Sequence, residues 1–530
     1  MSRHLLRLCV GVLVFAFVFG TALSVFAAGA RTTSIIVGYS GSLDRASRIV
    51  GSYGGQVTIA YQNIPAFAAS VPAGAVGAIA SSRGIAFVEP DFIRFVDTHI
   101  IGGAIWTGTP QVVPYGTTNV RAPQAWALAG KGAGALVAVL DTGFDMAHPD
   151  LAPNLRLDKA WDFLENDADV SDIPGPVTGH GTLTSGNIVA LDNTFGTVGV
   201  APEAKVLPYR VCNAALNACA SSWIIGGIDR AITDGADVIS MSFGGPSASI
   251  GERLVIRRAF LAGIVLVASS GNGGRPPVNQ PAALPEVIAV GAVDEANRLA
   301  GFSSFGHDQE LVAPGVDVPS TFLSGLARDA LLRQTSPGDP MMLAPIPMEF
   351  TIATDGDGVT APLASAGRAT DAEVASLDLT GKIALIERGD ITFKEKVENV
   401  ASKGALGAVI YNNVAGDLAG TLQAPSTIPA VGIPRPEGLG LKAQLDAGTA
   451  VEVQLIVAAS SYEEASGTSF SAPHVAGVAA LVVAANSALT GRQVRALLDA
   501  TATDLGPAGY DRFFGFGLVN AEAAVDAATP

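Results

Sequence analysis

GTSFSAPHVAG, residues 467–477, is the stretch that decides the fold of this 530-residue chain. A glycine turn leads into a helix of small residues, and Ser469 falls at the helix start, where free N–H groups and the helix dipole favour negative charge. Because proline is tolerated in the first turn of a helix, Pro473 predicts that the helix begins close to Ser469. Ser469 is either a helix N-cap or a nucleophile. A nucleophile needs a base, an orienting carboxylate and an oxyanion site.

An orienting carboxylate is available at Asp141. The apolar run of residues 135–140 predicts a buried parallel strand, and Asp141 follows at the carboxyl end, where functional groups gather in open α/β sheets. The same aspartate would also suit an Asx turn that closes the strand. Asp145 and Asp150 lie further along the loop, so position favours Asp141 as the orienting group.

Six histidines limit the choice of base. A lone histidine is more often packed or solvated, but Gly179 and Gly181 flank His180 and leave room for a substrate. The other five have competing explanations: His4 lies in a targeting segment, His99 in a processing linker, His307 after a polar turn, His148 before Pro149, and His474 about 140° round the helix from Ser469.

An oxyanion donor is available in SSGNGG, residues 269–274, which follows a second apolar run at a strand end. A glycine-rich loop alone is weak evidence. Held there, the Asn272 amide would donate to an oxyanion together with the N–H of Ser469. Losing one such donor costs about 2.7–4 kcal/mol of transition-state stabilisation.

In the order Asp, His, Asn, Ser, these four segments resemble the motifs of the subtilases, the subtilisin-like serine proteases of family S8. The resemblance covers roughly residues 111–321 and 462–528. It implies an α/β fold with a doubly wound, mostly parallel sheet. It also implies peptide-bond hydrolysis through an acyl-enzyme on Ser469, with His180 as general base, Asp141 orienting it and Asn272 in the oxyanion hole. The related sedolisin-type peptidases carry aspartate where Asn272 stands, so the subtilisin type fits better.

The resemblance also implies a substrate-binding edge that pairs with an extended peptide and forms the walls of a specificity pocket. One wall is Ser242, Phe243 and Gly244, and the other is Ser270 and Gly271. Asn279 aligns with the pocket floor and is not acidic, so no strong basic preference is expected there. Leu183 replaces a second histidine common in the family, which is not part of the triad.

A structural Ca²⁺ site is implied as well, although a polar surface turn is the alternative. Calcium takes six to eight hard oxygen ligands, and a looping segment supplies carbonyls readily. Carried over residue by residue, the ligands are Gln111, Asp150, Asn193 and the carbonyls of Leu191, Phe195 and Thr197.

Composition restricts the classes of partner. Hydrophobic residues make up 49% and charged residues 15% of the chain, and the net charge is −16. This charge argues against nucleic-acid binding. Protein or peptide substrates are the expected partners, with the chain's own propeptide as an intramolecular inhibitor.

The N-terminus resembles a secretory signal: a basic start, an apolar run to about residue 25, and small residues thereafter. An uncleaved membrane anchor is the alternative, and no further membrane span is expected. Export makes a disulfide between Cys212 and Cys219 plausible, with two free thiols as the alternative.

Five segments follow from these patterns. Alternating short strands and helices from Thr33 to Val96 resemble the inhibitor propeptide of subtilases, removed between Val96 and Gln111. A strand–helix–strand pattern before Ser469 resembles a protease-associated (PA) domain, with a passive spacer as the alternative. The predicted segments are a signal peptide (1–28), a propeptide (29–105), a catalytic domain in two parts (106–321 and 462–530) and an inserted PA domain (322–461).

The leading hypothesis is therefore a secreted, calcium-stabilised serine endopeptidase made as a zymogen. A binding or adhesion protein on a degenerate protease fold is the alternative from another class, and the intact set of four residues argues against it. An esterase is a third hypothesis. The G-x-S-x-G elbow typical of lipases is absent around Ser469.

Overall fold

The computed structural model describes residues 31–96, 99–100 and 110–529. The predicted signal peptide lies outside the described residues. So does most of the stretch in which the propeptide is expected to be cut.

The N-terminal region is an antiparallel sheet with two helices, as its alternating pattern predicts. In order across the sheet, the strands are Gln56–Ala60, Ala66–Pro72, Thr32–Tyr39 and Ile85–Pro90, and the helices are Leu43–Ser52 and Val76–Ala80. Ile35 and Val37 pack against those helices, whereas Ile36 joins the core of the following domain. Because side chains alternate along a strand, both faces of this sheet are covered, one by its own helices and one by the rest of the protein.

A seven-stranded sheet forms the centre of the molecule, and every neighbouring pair in it is parallel. This confirms the predicted α/β fold with a mostly parallel sheet. In order, the strands are Leu311–Pro314, Ile288–Val293, Val265–Ser269, Val238–Met241, Leu136–Asp141, Lys205–Arg210 and Trp161–Asp162. Asp141 is the last residue of its strand rather than the residue after it.

Helices cover this sheet on both sides. They are Tyr115–Asn119, Ala122–Ala129, His180–Val189, Ser221–Asp234, Ile250–Leu261, Thr468–Ala485, Gly491–Thr501 and Ala521–Ala528.

Thr468–Ala485 is buried on nearly every side, as its small residues predict. A Cβ atom at Gly477 would lie 2.7 Å from the Val200 Cβ, so glycine is needed for this close approach. The helix is long and apolar enough to cross a membrane. However, 89% of it is buried inside the protein, so it serves as a core helix here.

The inserted segment has its own eight-stranded mixed sheet. In order, the strands are Met341–Leu343, Ala327–Ser336, Glu452–Ser460, Val359–Ser365, Ile383–Glu387, Gly407–Tyr411, Ala430–Ile433 and Ile346–Pro347. The helices are Asp371–Val374, Phe393–Ser402 and Arg435–Asp446. Ala327–Ser336 enters the insert and pairs antiparallel with Glu452–Ser460, which leaves it, so the two strands form a stalk.

Two short sheets connect the parts of the molecule. Tyr462–Ser466 pairs with Val318–Thr321 on one side and with His99–Ile100 on the other. Cys219–Ala220 pairs with Ile93–Arg94 of the N-terminal region. Cys219 forms a disulfide with Cys212, which resolves the choice that the sequence left open.

Candidate active site

The site lies where three adjacent strands of the central sheet end. Leu136–Asp141, Val238–Met241 and Val265–Ser269 are neighbours, and all three run in the same direction. Their carboxyl ends therefore bring Asp141, the Ser242 segment and the Asn272 loop to one edge, although more than a hundred residues separate the first from the last.

Asp141 and His180 form a buried pair. The His180 Nδ1 lies 2.7 Å from Asp141 Oδ1, and neither side chain is more than 1% exposed. Thr184, one turn further along the same helix as His180, donates from Oγ1 to the other carboxylate oxygen at 3.0 Å. The Thr142 N–H donates to Asp141 Oδ1 at 2.7 Å. These contacts fix the carboxylate and hence the plane of the imidazole.

The His180 imidazole lies near the helix that carries Ser469. Its Nε2 is buried and has no hydrogen-bond partner among the residues that the structure describes. The ring lies 5.5 Å, centroid to centroid, from Phe470, the residue directly after Ser469. The imidazole ring thus lies next to the first turn of that helix.

Ser469 is the second residue of its helix, which begins at Thr468. The predicted helix start is therefore right, but Pro473 lies beyond the first turn, inside the helix. Proline has no N–H to donate to the carbonyl of Ser469 four residues earlier. The Ser242 Oγ donates to that carbonyl instead, at 2.8 Å, and the Ser469 Oγ donates back to the Ser242 carbonyl at 3.2 Å. The proline is tolerated because Ser242 replaces the lost donor.

Asn272 is oriented by Thr468. The Asn272 Oδ1 accepts from both the N–H and the Oγ1 of Thr468, each at 2.9 Å. The Thr468 Oγ1 in turn accepts from the Gly271 N–H at 3.1 Å. Since the oxygen of the amide accepts from Thr468, this contact fixes the orientation of the amide, with its NH₂ group on the other side from Thr468.

A second carboxylate, that of Asp172, lies close to the Asp141–His180 pair. The Asp172 Oδ2 accepts from the Gly179 N–H at 2.6 Å and from the Thr142 Oγ1 at 3.0 Å. Burial raises the pKa of Asp172 to about 6, and the negative charge of Asp141 adds to this shift. The sequence contains no signal that singles out Asp172, because its position depends on how a loop folds back.

Comparisons with known proteins identify the family of this chain. The model of the subtilase family matches residues 132–340 and 441–517, and the PA domain model matches residues 359–441. The chain belongs to the subtilase family. It is a serine-type endopeptidase of that family, with an inserted PA domain.

Named relatives cover different parts of this subtilase. The chain is 35% identical to Subtilisin J of Geobacillus stearothermophilus over 330 residues, which are 59% of this chain and 80% of the relative. It is 29% identical to the minor extracellular protease Vpr of Bacillus subtilis over 413 residues, 74% of this chain and 46% of the relative. The relatives are mostly subtilisins, and they include both extracellular and intracellular proteases.

A solved structure has the same fold. It is the psychrophilic subtilisin-like protease Apa1 from the Antarctic psychrotroph Pseudoalteromonas sp. AS-11, with a TM-score of 0.54 and 29% identity. The alignment covers 79% of this chain and 99% of that one.

The predicted substrate-binding residues of the subtilase lie on one cleft. Gly244 pairs antiparallel with Phe95. The Phe95 N–H donates to the Gly244 carbonyl at 3.2 Å, and the Gly244 N–H donates to the Phe95 carbonyl at 3.0 Å. Ser242 contacts Ser469 as described above, and Phe243 is buried. Asn279 lies between the walls, since a Cβ at Gly271 would be 2.4 Å from its Nδ2 and a Cβ at Gly244 would be 3.1 Å from its Cβ.

The flanking glycines of His180 have a different explanation from the one that the sequence suggests. A Cβ at Gly181 would lie 2.2 Å from the Gly143 carbonyl oxygen, and one at Gly179 would lie 2.1 Å from the Phe322 ring. Both glycines therefore permit tight packing of the protein against itself, rather than room for a substrate.

The remaining histidines near the site are structural, as their positions predict. The His148 Nδ1 accepts from the Asp150 N–H at 3.1 Å, and its Nε2 lies 2.9 Å from the Ser461 carbonyl. His474 is buried with its Nδ1 2.7 Å from the Phe470 carbonyl. Leu183, in place of the family's second histidine, belongs to a small apolar cluster.

The residues predicted to bind calcium also converge. The Gln111 amide nitrogen lies 2.6 Å from the Leu191 carbonyl, 3.1 Å from the Thr197 carbonyl and 3.4 Å from the Asn193 Oδ1. Asp150 is fully buried and accepts from the Asn193 Nδ2 and the Thr197 N–H. The Phe195 N–H donates to Asn193 Oδ1 at 2.8 Å. Among the described residues no group of three or more His, Cys, Asp and Glu is placed to hold a metal, so one carboxylate and neutral oxygens would form this site.

Proposed function

We propose that this subtilase is a secreted endopeptidase, made as a zymogen, that hydrolyses peptide bonds with Ser469 as nucleophile. The observation that carries the proposal is the buried 2.7 Å contact between Asp141 and His180. The other imidazole nitrogen is buried without a hydrogen-bond partner among the described residues, and the ring lies beside the first turn of the helix that carries Ser469.

The proposed reaction follows from this arrangement. As the Ser469 Oγ attacks the substrate carbonyl, its proton passes to His180 Nε2, and Asp141 stabilises the imidazolium through Nδ1–H. The oxyanion accepts hydrogen bonds from the Asn272 NH₂ and the Ser469 N–H, at the positive end of the helix dipole. His180 then protonates the leaving amine. Water hydrolyses the acyl-enzyme by the reverse sequence of proton transfers.

Ser469 can be tested against a matched control on the same helix. We expect Ser469→Ala to abolish casein hydrolysis, to abolish labelling by a fluorophosphonate probe and to leave the N-terminal region attached. Ser471→Ala makes the same substitution two residues later, at a buried hydroxyl outside the site, and should retain labelling. Folded, mature wild-type protein without labelling would contradict the proposal. It would favour a non-catalytic binding protein.

Residues 29–105 are proposed to act as an inhibitory propeptide. Glu89 accepts from the N–H groups of Ile250 and Gly251 at 2.8 Å each, at the start of one surface helix. Asp91 accepts from the N–H and Oγ of Ser222 at the start of another. Carboxylates at helix N-termini are favourable because free N–H groups and the helix dipole meet them there. The residues that follow, Ile93 to Val96, lie along the cleft, where Phe95 pairs with Gly244.

Zymogen behaviour has its own test. Freshly purified full-length chain should show little casein hydrolysis, and activity should rise as the N-terminal region is cut away. Full activity of chain that still carries residues 29–105 would contradict the inhibitory role. That result would leave the role of Ser469 intact.

Calcium is proposed as a structural ion at Gln111, Asp150, Asn193 and the loop carbonyls of Leu191, Phe195 and Thr197. The buried carboxylate and the converging oxygens suit a hard cation. In the Ser469→Ala background, Ca²⁺ should raise Tm, and Asp150→Asn should remove the rise. Asp192→Asn, at a carboxylate paired with Lys131 instead, is the matched control. An equal Tm rise in both variants would rule out this site.

Secretion is proposed from the N-terminal pattern, and the Cys212–Cys219 disulfide suits an oxidising compartment. Intact-mass and N-terminal sequencing of protein from the culture medium test this. Protein retained in membranes with residues 1–28 attached would support the anchor instead.

A further inference from the structure

The last residues of the N-terminal region lie in the cleft as an extended strand with neighbours on both sides. Arg94 is opposite Cys219 on one side. Phe95 exchanges two backbone hydrogen bonds with Gly244 on the other. The Asn217 side chain holds the next residue, Val96, accepting from its N–H and donating to its carbonyl, both at 2.9 Å. A peptide substrate added to the same edge would have its backbone held in the same way.

The Arg94 side chain is buried against one carboxylate. Its exposed fraction is 2%, and its Nη2 lies 2.5 Å from the Glu252 Oε2, which is itself 2% exposed. A Cβ at Gly245 would lie 3.0 Å from the Arg94 Cδ, so the glycine leaves the space that the arginine fills. A buried guanidinium is tolerated only with such a partner, since an unpaired charge away from water is very unfavourable.

Glu252 is held in position independently of Arg94. It is the third residue of helix Ile250–Leu261 and forms a capping box with Ser249. Its Oε2 accepts from the Ser249 N–H at 2.6 Å, and its own N–H donates to the Ser249 Oγ at 3.0 Å. These partners belong to the catalytic domain, so the carboxylate keeps its place in the wall of the cleft when the N-terminal region leaves.

We propose that Glu252 is a specificity-determining residue that selects substrates with arginine immediately N-terminal to the residue that pairs with Gly244. The inference rests on the proposed function and names its substrate class: peptides with a guanidinium at this one position. The hydrogen bonds with Ser249 hold the Glu252 carboxylate in place. The missing side chain at Gly245 leaves room for an arginine side chain to reach that carboxylate. Arginine is preferred to lysine because its planar fork meets a carboxylate with directed hydrogen bonds.

The first test uses the mature wild-type enzyme and matched fluorogenic peptides. They differ at one position N-terminal to the cut and carry arginine, lysine, citrulline or norleucine there, with the position scanned along the peptide. We expect arginine to exceed citrulline, its neutral isostere, by about 10- to 100-fold in kcat/KM at one position only. Equal rates for arginine and citrulline at every position would overturn the proposal.

The second test removes the charge while keeping the helix cap. Glu252→Gln retains a capping-box residue type. It should reduce the preference for arginine over citrulline to within about twofold. Glu522→Gln, at an exposed carboxylate paired with Arg121, is the charge-matched control and should retain the preference. Persistence of the preference in Glu252→Gln would also overturn the proposal.

Casein hydrolysis distinguishes failure of the proposed role of Glu252 from failure of the proposed protease function. An enzyme that digests casein without a preference for arginine contradicts the role of Glu252 alone. Folded, mature protein with no hydrolysis of any substrate contradicts the proposed function itself.

Discussion

At the residue scale, the site depends on side chains that orient other side chains. Thr184 holds the Asp141 carboxylate, and Thr468 commits the oxygen of the Asn272 amide. Neither threonine would touch a substrate in the proposed reaction. Both are positioning residues, and their contribution should appear in kcat rather than in KM, because they act on groups that are needed most in the transition state.

Thr468→Val tests this orientation. The valine has the same shape but no hydroxyl, so Asn272 Oδ1 keeps only the backbone N–H as a donor. We expect kcat for a peptide substrate to fall about tenfold, in line with one lost hydrogen bond, with KM little changed. Thr468→Ser should restore the rate. In an Asn272→Ala background Thr468→Val should have almost no further effect, and full additivity of the two losses would contradict the assignment.

His474 makes stability depend on pH. Burial lowers its pKa to about 4, and its hydrogen bond to the Phe470 carbonyl opposes this only in part. Below about pH 6.5 the unfolded chain therefore binds a proton at this residue that the folded protein does not. The contribution of His474 to the free energy of unfolding is fully present above that pH. It decreases as the pH falls toward 4, by roughly 2 kcal/mol between pH 6.5 and 5.

Urea unfolding of the Ser469→Ala protein at several pH values measures this effect. His474→Asn should flatten the dependence between pH 6.5 and 5, although some slope remains because burial also lowers the pKa of His148. His307→Asn, at a histidine that is 98% exposed, should leave the slope unchanged. Identical slopes in both variants would show that His474 is not the group responsible.

At the element scale, the helix Thr468–Ala485 contains a proline that its own hydrogen bonding does not accommodate. Pro473 removes the donor for the Ser469 carbonyl, and the Ser242 Oγ supplies another from the end of a neighbouring strand. This contact links the substrate-binding edge to the first turn of the helix. The two elements hold Ser469 between them, so its position depends on both.

A double-mutant cycle on unfolding free energy tests the link. Ser242→Ala should cost about 1–3 kcal/mol, because it removes a hydrogen bond to the buried carbonyl of Ser469. Pro473→Ala provides an N–H at the right place in the helix, so Ser242→Ala should cost clearly less in that background. Denaturant unfolding in the Ser469→Ala protein avoids self-digestion. Equal costs in both backgrounds would contradict the exchange of donors.

At the scale of the whole molecule, the N-terminal region, the central sheet and the insert meet near the site. The N-terminal region docks on two helix starts. The residues just before the stalk of the insert also reach the site: the Ser324 N–H donates to Asp145 at 2.8 Å, and the Phe322 ring packs on Gly179 beside His180. The start of the insert is therefore in contact with residues adjacent to the Asp141–His180 pair.

The disulfide supports this assembly. It closes a loop with a sequence separation of 7 that carries Asn217 and leads into the strand paired with Ile93–Arg94. Replacing both cysteines by serine in the Ser469→Ala protein should cost about 2–3 kcal/mol by the loop-entropy relation. Hydrogen exchange should also speed up at residues 93–96. Unchanged protection of those amides would show that the loop holds the tail without help from the bridge.

Much of the site could be predicted from the sequence. Asp141, Asn272 and Ser469 each follow a local pattern, either the end of an apolar strand or a glycine turn before a helix, and such patterns need few residues to be recognised. Because parallel strands end at a common edge, the predicted residues lie together in the structure. The strand Gln56–Ala60 could not be located from the sequence, since its largely exposed, mixed residues give no clear alternation.

The sequence by itself determined the central sheet, the buried small-residue helix and the four residues proposed for catalysis, because these depend on short-range periodicity and turn chemistry. Only the tertiary structure decided what orients them: Thr468 on Asn272, Ser242 in place of the donor that Pro473 lacks, and Asp172 behind Asp141. It also decided the pairing of Arg94 with Glu252. Each of these contacts joins residues from separate elements, and their distance depends on sheet order and loop path rather than on any local pattern.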